Sequence, residues 1–339
     1  MNDRLHFEVK DNRGCFVFPE RWTGQLLDEF EALIDEYYCE EISEQHYVSR
    51  LKRLIREEPE CIDLYAHLAY ALLEQDAPRK ALNIALKGLA VANRLIPEGF
   101  SGEISGLNPE NRPYLRGLHT AILASIDLRR HQEAVALTDK LLAYDPLDSL
   151  GAGWFLGSEL LRSGDWDRAS CVLEQYADEY SPCWYELGIL YFMKGELVRA
   201  ATALRRGFVA NIYIAEILCG KIRPFPLVMW HDESGDTETA EEYYESYSSL
   251  WAQYPESLPF VNWLFNHSSV MSERAEIMKY AEMLVSEDEP EVWESLFARR
   301  ETLLEKIDDR LSEEIVQKCK TWHGTVVWPW LLPFTGEMR

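Results

Sequence analysis

Residues 184–207 constrain the fold of this chain more than any other stretch. Trp184, Leu187, Gly188 and Tyr191 fall at i, i+3, i+4 and i+7, one stripe of an α-helix. Ala200, Leu204 and Gly207 fall at i, i+4 and i+7 of a second helix, and Gly195 lies between the two, where the chain must turn tightly. Small residues at 188 and 200 allow the two backbones to approach closely. Trp184 and Tyr191 then fill the volume to either side, and Gly207 is expected to admit the first helix of a following unit. One such helical hairpin cannot bury its own apolar stripe, so the pattern demands stacked neighbours.

The neighbours are present. Residues 150–183 repeat the pattern with Leu156, Gly157, Leu160, a Ser163-Gly164 turn, Ala169, Leu173, Tyr176 and a terminating Pro182. Residues 115–148 offer Leu118, Ala121, Ile122, Ser125, Ala134, Leu141 and Pro146, and residues 62–93 offer Tyr65, Leu68, Ala69, Leu72, Ala81, Ala85 and Gly88. The alanines at 81, 134, 169 and 200 anchor the series. Its first step is longer because residues 94–113 intervene, and Pro97, Gly99, Gly102, Gly106, Pro109 and Pro113 mark that insert as loop. The series resembles the tetratricopeptide repeat, a helix–turn–helix unit of about 34 residues. A closer likeness runs through Asn111-Arg112-Pro113-Tyr114, the linker Asp145-Pro146-Leu147-Asp148, the run from Asn211 to Leu218, and Trp263. These motifs resemble bacterial tetratricopeptide-repeat proteins related to the suppression-of-tumorigenicity repeat family, over roughly residues 108–265 by the repeat-matching argument. The resemblance implies an all-α, tetratricopeptide-type helical-repeat solenoid that holds another protein, and it brings no catalytic residues with it.

Four zones are expected. In residues 1–20, Leu5, Phe7 and Val9 alternate with His6, Glu8 and Lys10, a turn cluster follows, and Cys15–Phe18 forms a second run, which together predict a short β-hairpin. An isolated two-stranded hairpin is marginal in water, so this one must pack on something. Residues 21–60 read as two capping helices, one through Leu26, Phe30, Leu33 and Tyr37, the other through Tyr47, Leu51 and Leu54. Residues 61–210 hold the repeats. Residues 211–339 form an irregular C-terminal helical region, with a helix through Tyr243, Tyr247, Leu250 and Trp251, and Ser312 as the expected start of the last helix. It ends in the apolar tail Val326–Phe334, whose prolines at 329 and 333 forbid a regular helix and whose tryptophans must pack on the protein or dock elsewhere.

Composition narrows the function classes. With 47% apolar residues the chain is not generally disordered. No apolar run is long enough for a membrane span, the first residues are too polar for an export signal, and the seven cysteines show no pairing pattern, which together predict a cytoplasmic protein. The formal charge of −24 disfavours direct nucleic-acid binding and adhesion to anionic membranes. Eight carboxylates between Asp28 and Glu44, and eight more between Asp232 and Glu256, are unopposed by Lys or Arg within those stretches. They read as solvated faces, or more sharply as a surface for a basic partner.

The resemblance also places a binding groove. In such repeats the concave wall comes from fixed positions of each first helix. Here they are Tyr70 and Leu73; His119, Leu123 and Ile126; Trp154, Leu161 and Arg162; and Tyr185, Ile189, Phe192 and Met193. This wall is aromatic and aliphatic, without the Lys and Asn of repeats that clamp a terminal carboxylate. It suits an amphipathic helix or an extended apolar segment of a partner protein. No hydrolase, zinc-protease or phosphate-loop motif occurs, and Gly99–Gly102 lacks the strand and the Gly-Lys-Ser/Thr of a phosphate cradle. Cys319 and His323 have a spacing that one helical turn could offer a metal, with Cys219 and His231 as distant candidates, but two ligands make no zinc site. The expectation is a non-catalytic adaptor or scaffold with no cofactor and no metal. An acidic inhibitor or immunity-type protein masking a basic surface is the alternative, and a metal-dependent enzyme the third.

Overall fold

The computed structural model describes residues 4–22, 24–221 and 223–332. The described residues are predominantly helical, with two small two-stranded sheets. The chain divides into two compact units, Met1–Ser163 and Gly164–Arg339. The division falls at the Ser163-Gly164 turn, inside the span 61–210.

The first unit opens with β1 (His6–Lys10) and β2 (Arg13–Val17), an antiparallel hairpin that pairs Phe7 with Phe16. Asp11 and Asn12 turn it in the left-handed region. Its support is the insert. Gly14 N donates to Glu103 O (2.7 Å) and Glu103 N to Asn12 O (3.0 Å), while Phe7 meets Phe100 edge-on. Buried Asn111 completes the joint, accepting from Phe16 N (3.1 Å) and donating to Gly14 O and Ser105 O. Buried Asp145 does the same at the far end, accepting from Gly106 N and from Ser149 N and Oγ. The linker motifs singled out in the sequence are thus structural hubs.

Seven helices follow: α1 (Gln25–Tyr38), α2 (Glu44–Glu57), α3 (Ile62–Glu74), α4 (Pro78–Asn93), α5 (Arg112–Asp127), α6 (His131–Tyr144) and α7 (Gly153–Ser163). α3 packs on both α4 and α5. The second unit holds α8 (Trp166–Tyr176), α9 (Pro182–Lys194), α10 (Leu197–Ala210), α11 (Ile212–Leu218), α12 (Thr237–Gln253), α13 (Ser257–Phe265), α14 (Ser268–Val285), α15 (Pro290–Leu304) and α16 (Asp309–Ile315). A minimal hairpin, β3 (Cys319–Lys320) and β4 (Val326–Val327), precedes a 3₁₀ turn at Pro329–Leu331.

The repetition is visible in the backbone. α3/α4, α5/α6 and α9/α10 are each joined through one left-handed residue, Asp76, Arg129 and Gly195, with φ of 52°, 56° and 78°. Beyond it, Ala77, Arg130 and Glu196 each donate to a carbonyl five residues earlier. Ala81, Ala134, Ala169 and Ala200 are all fully buried, and each donates to the carbonyl four residues before it. The close approaches follow. A Cβ at Gly188 would lie 2.6 Å from Leu204 Cγ, and one at Gly88 equally near Tyr65 Cβ. At Gly207 the atoms nearest an added Cβ belong to Tyr185 and Trp184 of its own hairpin.

Two buried networks order the second unit. Asn211 caps α11 by accepting from Tyr213 N and Ile214 N, and donates to Ser234 O and Asp236 O. Arg205, buried, is bonded to Glu273, to Asp308 O and to Ser312 Oγ. That use of Ser312 corrects its expected role as a helix start. Its hydroxyl is committed inside α16, and Asp308 caps the helix by accepting from Arg310 N. Trp330 of the tail is buried against Phe260 and Trp263 (4.8 and 5.2 Å between ring centroids), so this part of the tail packs on its own unit. Pro333 and Phe334 lie outside the described residues.

Candidate functional site

In α9 the run from Tyr185 to Tyr191 is buried without interruption. A helix enclosed all round offers no open face. Tyr185 and Ile189 are therefore core residues and not wall. Tyr185 packs near Phe208 and Tyr243 and donates its hydroxyl to Gly207 O. Phe192 is half-buried and lies 5.3 Å from Phe260 of α13, so the unit's own C-terminal helices take up part of this wall. Met193 is half-buried. In the first unit Ile126 and Leu161 are buried, which corrects them in the same way. Trp154 and Arg162 are half-buried on α7.

The remaining positions converge. On α3, the residues left outside the core include Asp63, His67, Tyr70 and Glu74, at i, i+4, i+7 and i+11, with Leu73 beside them. On α5 they include Arg116, His119 and Leu123, at i, i+3 and i+7. α3 and α5 pack together, so these two stripes lie next to one another. Between them opens a cleft of about 210 Å³ lined by Ala66, His67, Tyr70, Arg116, His119 and Thr120, with Tyr38 at the end of α1 closing one side. Tyr70 is 46% exposed and Tyr38 69%.

Three of the cleft's polar side chains, Arg116, His67 and Thr120, are held in place by hydrogen bonds. Arg116 grips Asp63 through two bonds, Nε to Oδ1 (3.1 Å) and Nη2 to Oδ2 (2.6 Å), the fork geometry that fixes a guanidinium. His67 Nδ1 is bonded to Tyr47 Oη (3.0 Å), and its ring meets Phe30 edge-on. His119 makes no hydrogen bond among the described residues. Burial pushes the pKa of both imidazoles down; for His67, Asp63 opposes that shift and Arg116 adds to it. Neutral imidazole carries one donor and one acceptor. Thr120 Oγ1 donates to Arg116 O and is committed there. The cleft is therefore lined by aromatic rings, with two imidazoles whose charged forms burial disfavours and a guanidinium paired to Asp63 at its edge.

His67 and Arg116 are absent from the groove expected above. Their signal was polar residues at helical spacing on one face of otherwise apolar helices. A larger cleft of about 320 Å³ in the second unit involves Trp184, Arg206 and Arg300. There Arg206 is spent on Ile307 O and Arg300 on Glu301, and four carboxylates line it beside them.

Two other expectations change. Cys319 lies on β3 and His323 in the loop beyond it, not on one helical turn, and among the described residues no group of three His, Cys, Asp or Glu side chains is arranged to hold a metal ion. The acidic stretch on α1 is partly opposed after all, because α2 supplies Arg53 to Glu29 and Arg50 to Glu36. No helix among the described residues is long and apolar enough to cross a membrane. No protein-family model matches the chain, and a search of curated proteins finds no relative.

Proposed function

We propose that this chain is a non-catalytic interaction module of tetratricopeptide type that holds a segment of a partner protein in the cleft between α3 and α5. The observation that supports it most is the pairing of two stripes, 63/67/70/74 and 116/119/123, left outside the core by helices whose other faces are buried. Aromatic rings at Tyr70 and Tyr38 supply large contact area at low entropy cost, as binding hot spots do. His119 and Arg116 give the occupant a polar registration point. Helix-in-groove and extended-segment docking both use such a wall, with one or two apolar anchors setting affinity.

The test is partner capture from the native cell with the intact chain, Tyr70→Ala and His119→Asp. Both variants should keep the helical circular-dichroism spectrum and lose the partner. Capture that survives both variants unchanged would remove the α3/α5 cleft from the account. Phe192→Asp is no test of the groove, because Phe192 packs on Phe260 and its loss would disturb the core of the second unit.

A further inference from the structure

One segment of this acidic chain has the opposite character. From Val316 to Leu332 there is no carboxylate, and Lys318 and Lys320 supply the charge. Its centre is the β3–β4 hairpin. The loop is fixed by Thr321 N to Thr325 O (2.9 Å), Gly324 N to Thr321 O (2.9 Å) and Thr325 N to Thr321 Oγ1, with Gly324 in the left-handed region. The base is anchored by Trp328 stacked on buried Trp330, with the Lys318 ammonium over the Trp328 ring. At the tip stands Trp322, 96% exposed. A tryptophan held in water on a hydrogen-bonded loop beside Lys320 is an unusual expense of apolar surface, and tryptophan is among the side chains most enriched at the centres of protein interfaces.

The complement is on the same chain. The α3/α5 cleft is lined by rings, its one cation, Arg116, is neutralised by Asp63, and the next charges along the lining elements are acidic: Glu74 lies one turn beyond Tyr70, and Glu40 and Glu41 follow Tyr38. We infer that the Trp322 hairpin of one copy docks in the α3/α5 cleft of a second copy. The inference rests on the docking reading of that cleft given above. The indole fills the space between Tyr70 and His119, and its N–H donates to the unprotonated nitrogen of His119. Lys320 faces the carboxylates around the cleft. At physiological ionic strength charges farther apart than about 8 Å are largely screened, so this local match decides over the net charge of each copy. Plug and socket are different surfaces, so the contact is head-to-tail and propagates into a ring or an open chain.

Sedimentation velocity over a wide concentration range tests it. The intact chain should grow from monomer to dimer and beyond as concentration rises. Trp322→Ala lacks the plug and Tyr70→Ala lacks the socket, and each alone should remain monomeric with an unchanged circular-dichroism spectrum; His119→Gln is the second socket variant. An equimolar mixture of Trp322→Ala and Tyr70→Ala restores one plug and one socket, and should form a 1:1 dimer that grows no further. An intact chain that stays monomeric, oligomers that survive both variants, or a mixture that yields no dimer would each overturn the inference. If the intact chain is monomeric while partner capture still depends on Tyr70, the docking reading stands and self-association falls.

Discussion

Two glycines of the first unit make a matched pair, and the structure assigns them opposite outcomes on substitution. A Cβ at Gly88 of α4 would come 2.6 Å from Tyr65 Cβ and 3.1 Å from Tyr65 Cγ. Tyr65 Cβ is fixed to the backbone of α3, so no rotamer change relieves the clash and the two helices must separate. Overpacking a tight contact costs about 1–3 kcal/mol, and an immovable neighbour puts Gly88 near the upper end. Alanine regains about 1 kcal/mol of helix propensity over glycine. The net expected for Gly88→Ala is a loss of about 2 kcal/mol on that arithmetic. At Gly117 of α5 the nearest atom is Leu89 Cδ2, at 3.3 Å, the free end of a side chain that yields by a few tenths of an ångström. There the helix gain dominates, and Gly117→Ala should be neutral or stabilise by about 0.5 kcal/mol. Both residues lie in one unit, so a single urea transition reports both, and the comparison of midpoints removes errors of extrapolation. If Gly88→Ala unfolds at the intact chain's midpoint, or Gly117→Ala is the more damaging of the two, the close-approach reasoning fails.

Two further outcomes follow from the buried polar groups. Removing Arg205 with Arg205→Met leaves Glu273 and the Asp308 carbonyl without their buried partner and should cost about 3–5 kcal/mol in the second unit, whereas adding Glu273→Met should restore part of it; a double variant less stable than the single one would contradict this, as read by denaturant unfolding. His67 and His119 have folded pKa values below their ordinary 6.5 because burial disfavours the charged ring, so below that value the unfolded chain takes up protons that the folded chain resists. Their effect on stability is absent above about pH 6.5 and grows as a loss toward acid, so replacing both with Gln should flatten the fall in melting temperature between about pH 7 and pH 5; an unchanged slope would show that these imidazoles do not titrate as described.

Much of the helical hairpin series was legible because stripe and turn obey local rules. The i, i+3, i+4 spacing marks helices, and small residues at fixed offsets mark where backbones meet. The left-handed residues at Asp76 and Arg129 were not legible, because glycine is the residue that ordinarily announces that conformation. The insert could be recognised as loop from its prolines and glycines. Its seat on the hairpin rests on hydrogen bonds between residues about ninety positions apart in sequence, such as Asn111 to Phe16, and no local pattern encodes those. The groove was legible only in part. Transferred repeat positions include Tyr70 and His119 of the cleft lining, but Ile126, Leu161, Tyr185 and Ile189 are buried, since a general repeat geometry does not know which faces this chain covers with its own helices. Asp63, His67 and Arg116 could have been found by asking which polar residues interrupt an apolar helix at helical spacing.

A photo-crosslinking residue placed at position 70 asks directly whether a partner segment docks between α3 and α5. In the native cell this probe should join the chain to one discrete segment bearing an aromatic or aliphatic anchor, and His119→Asp should abolish the product. A probe at exposed Glu57 on α2 gives the background. Crosslinking at position 70 no greater than at position 57, or unaffected by His119→Asp, would contradict the account.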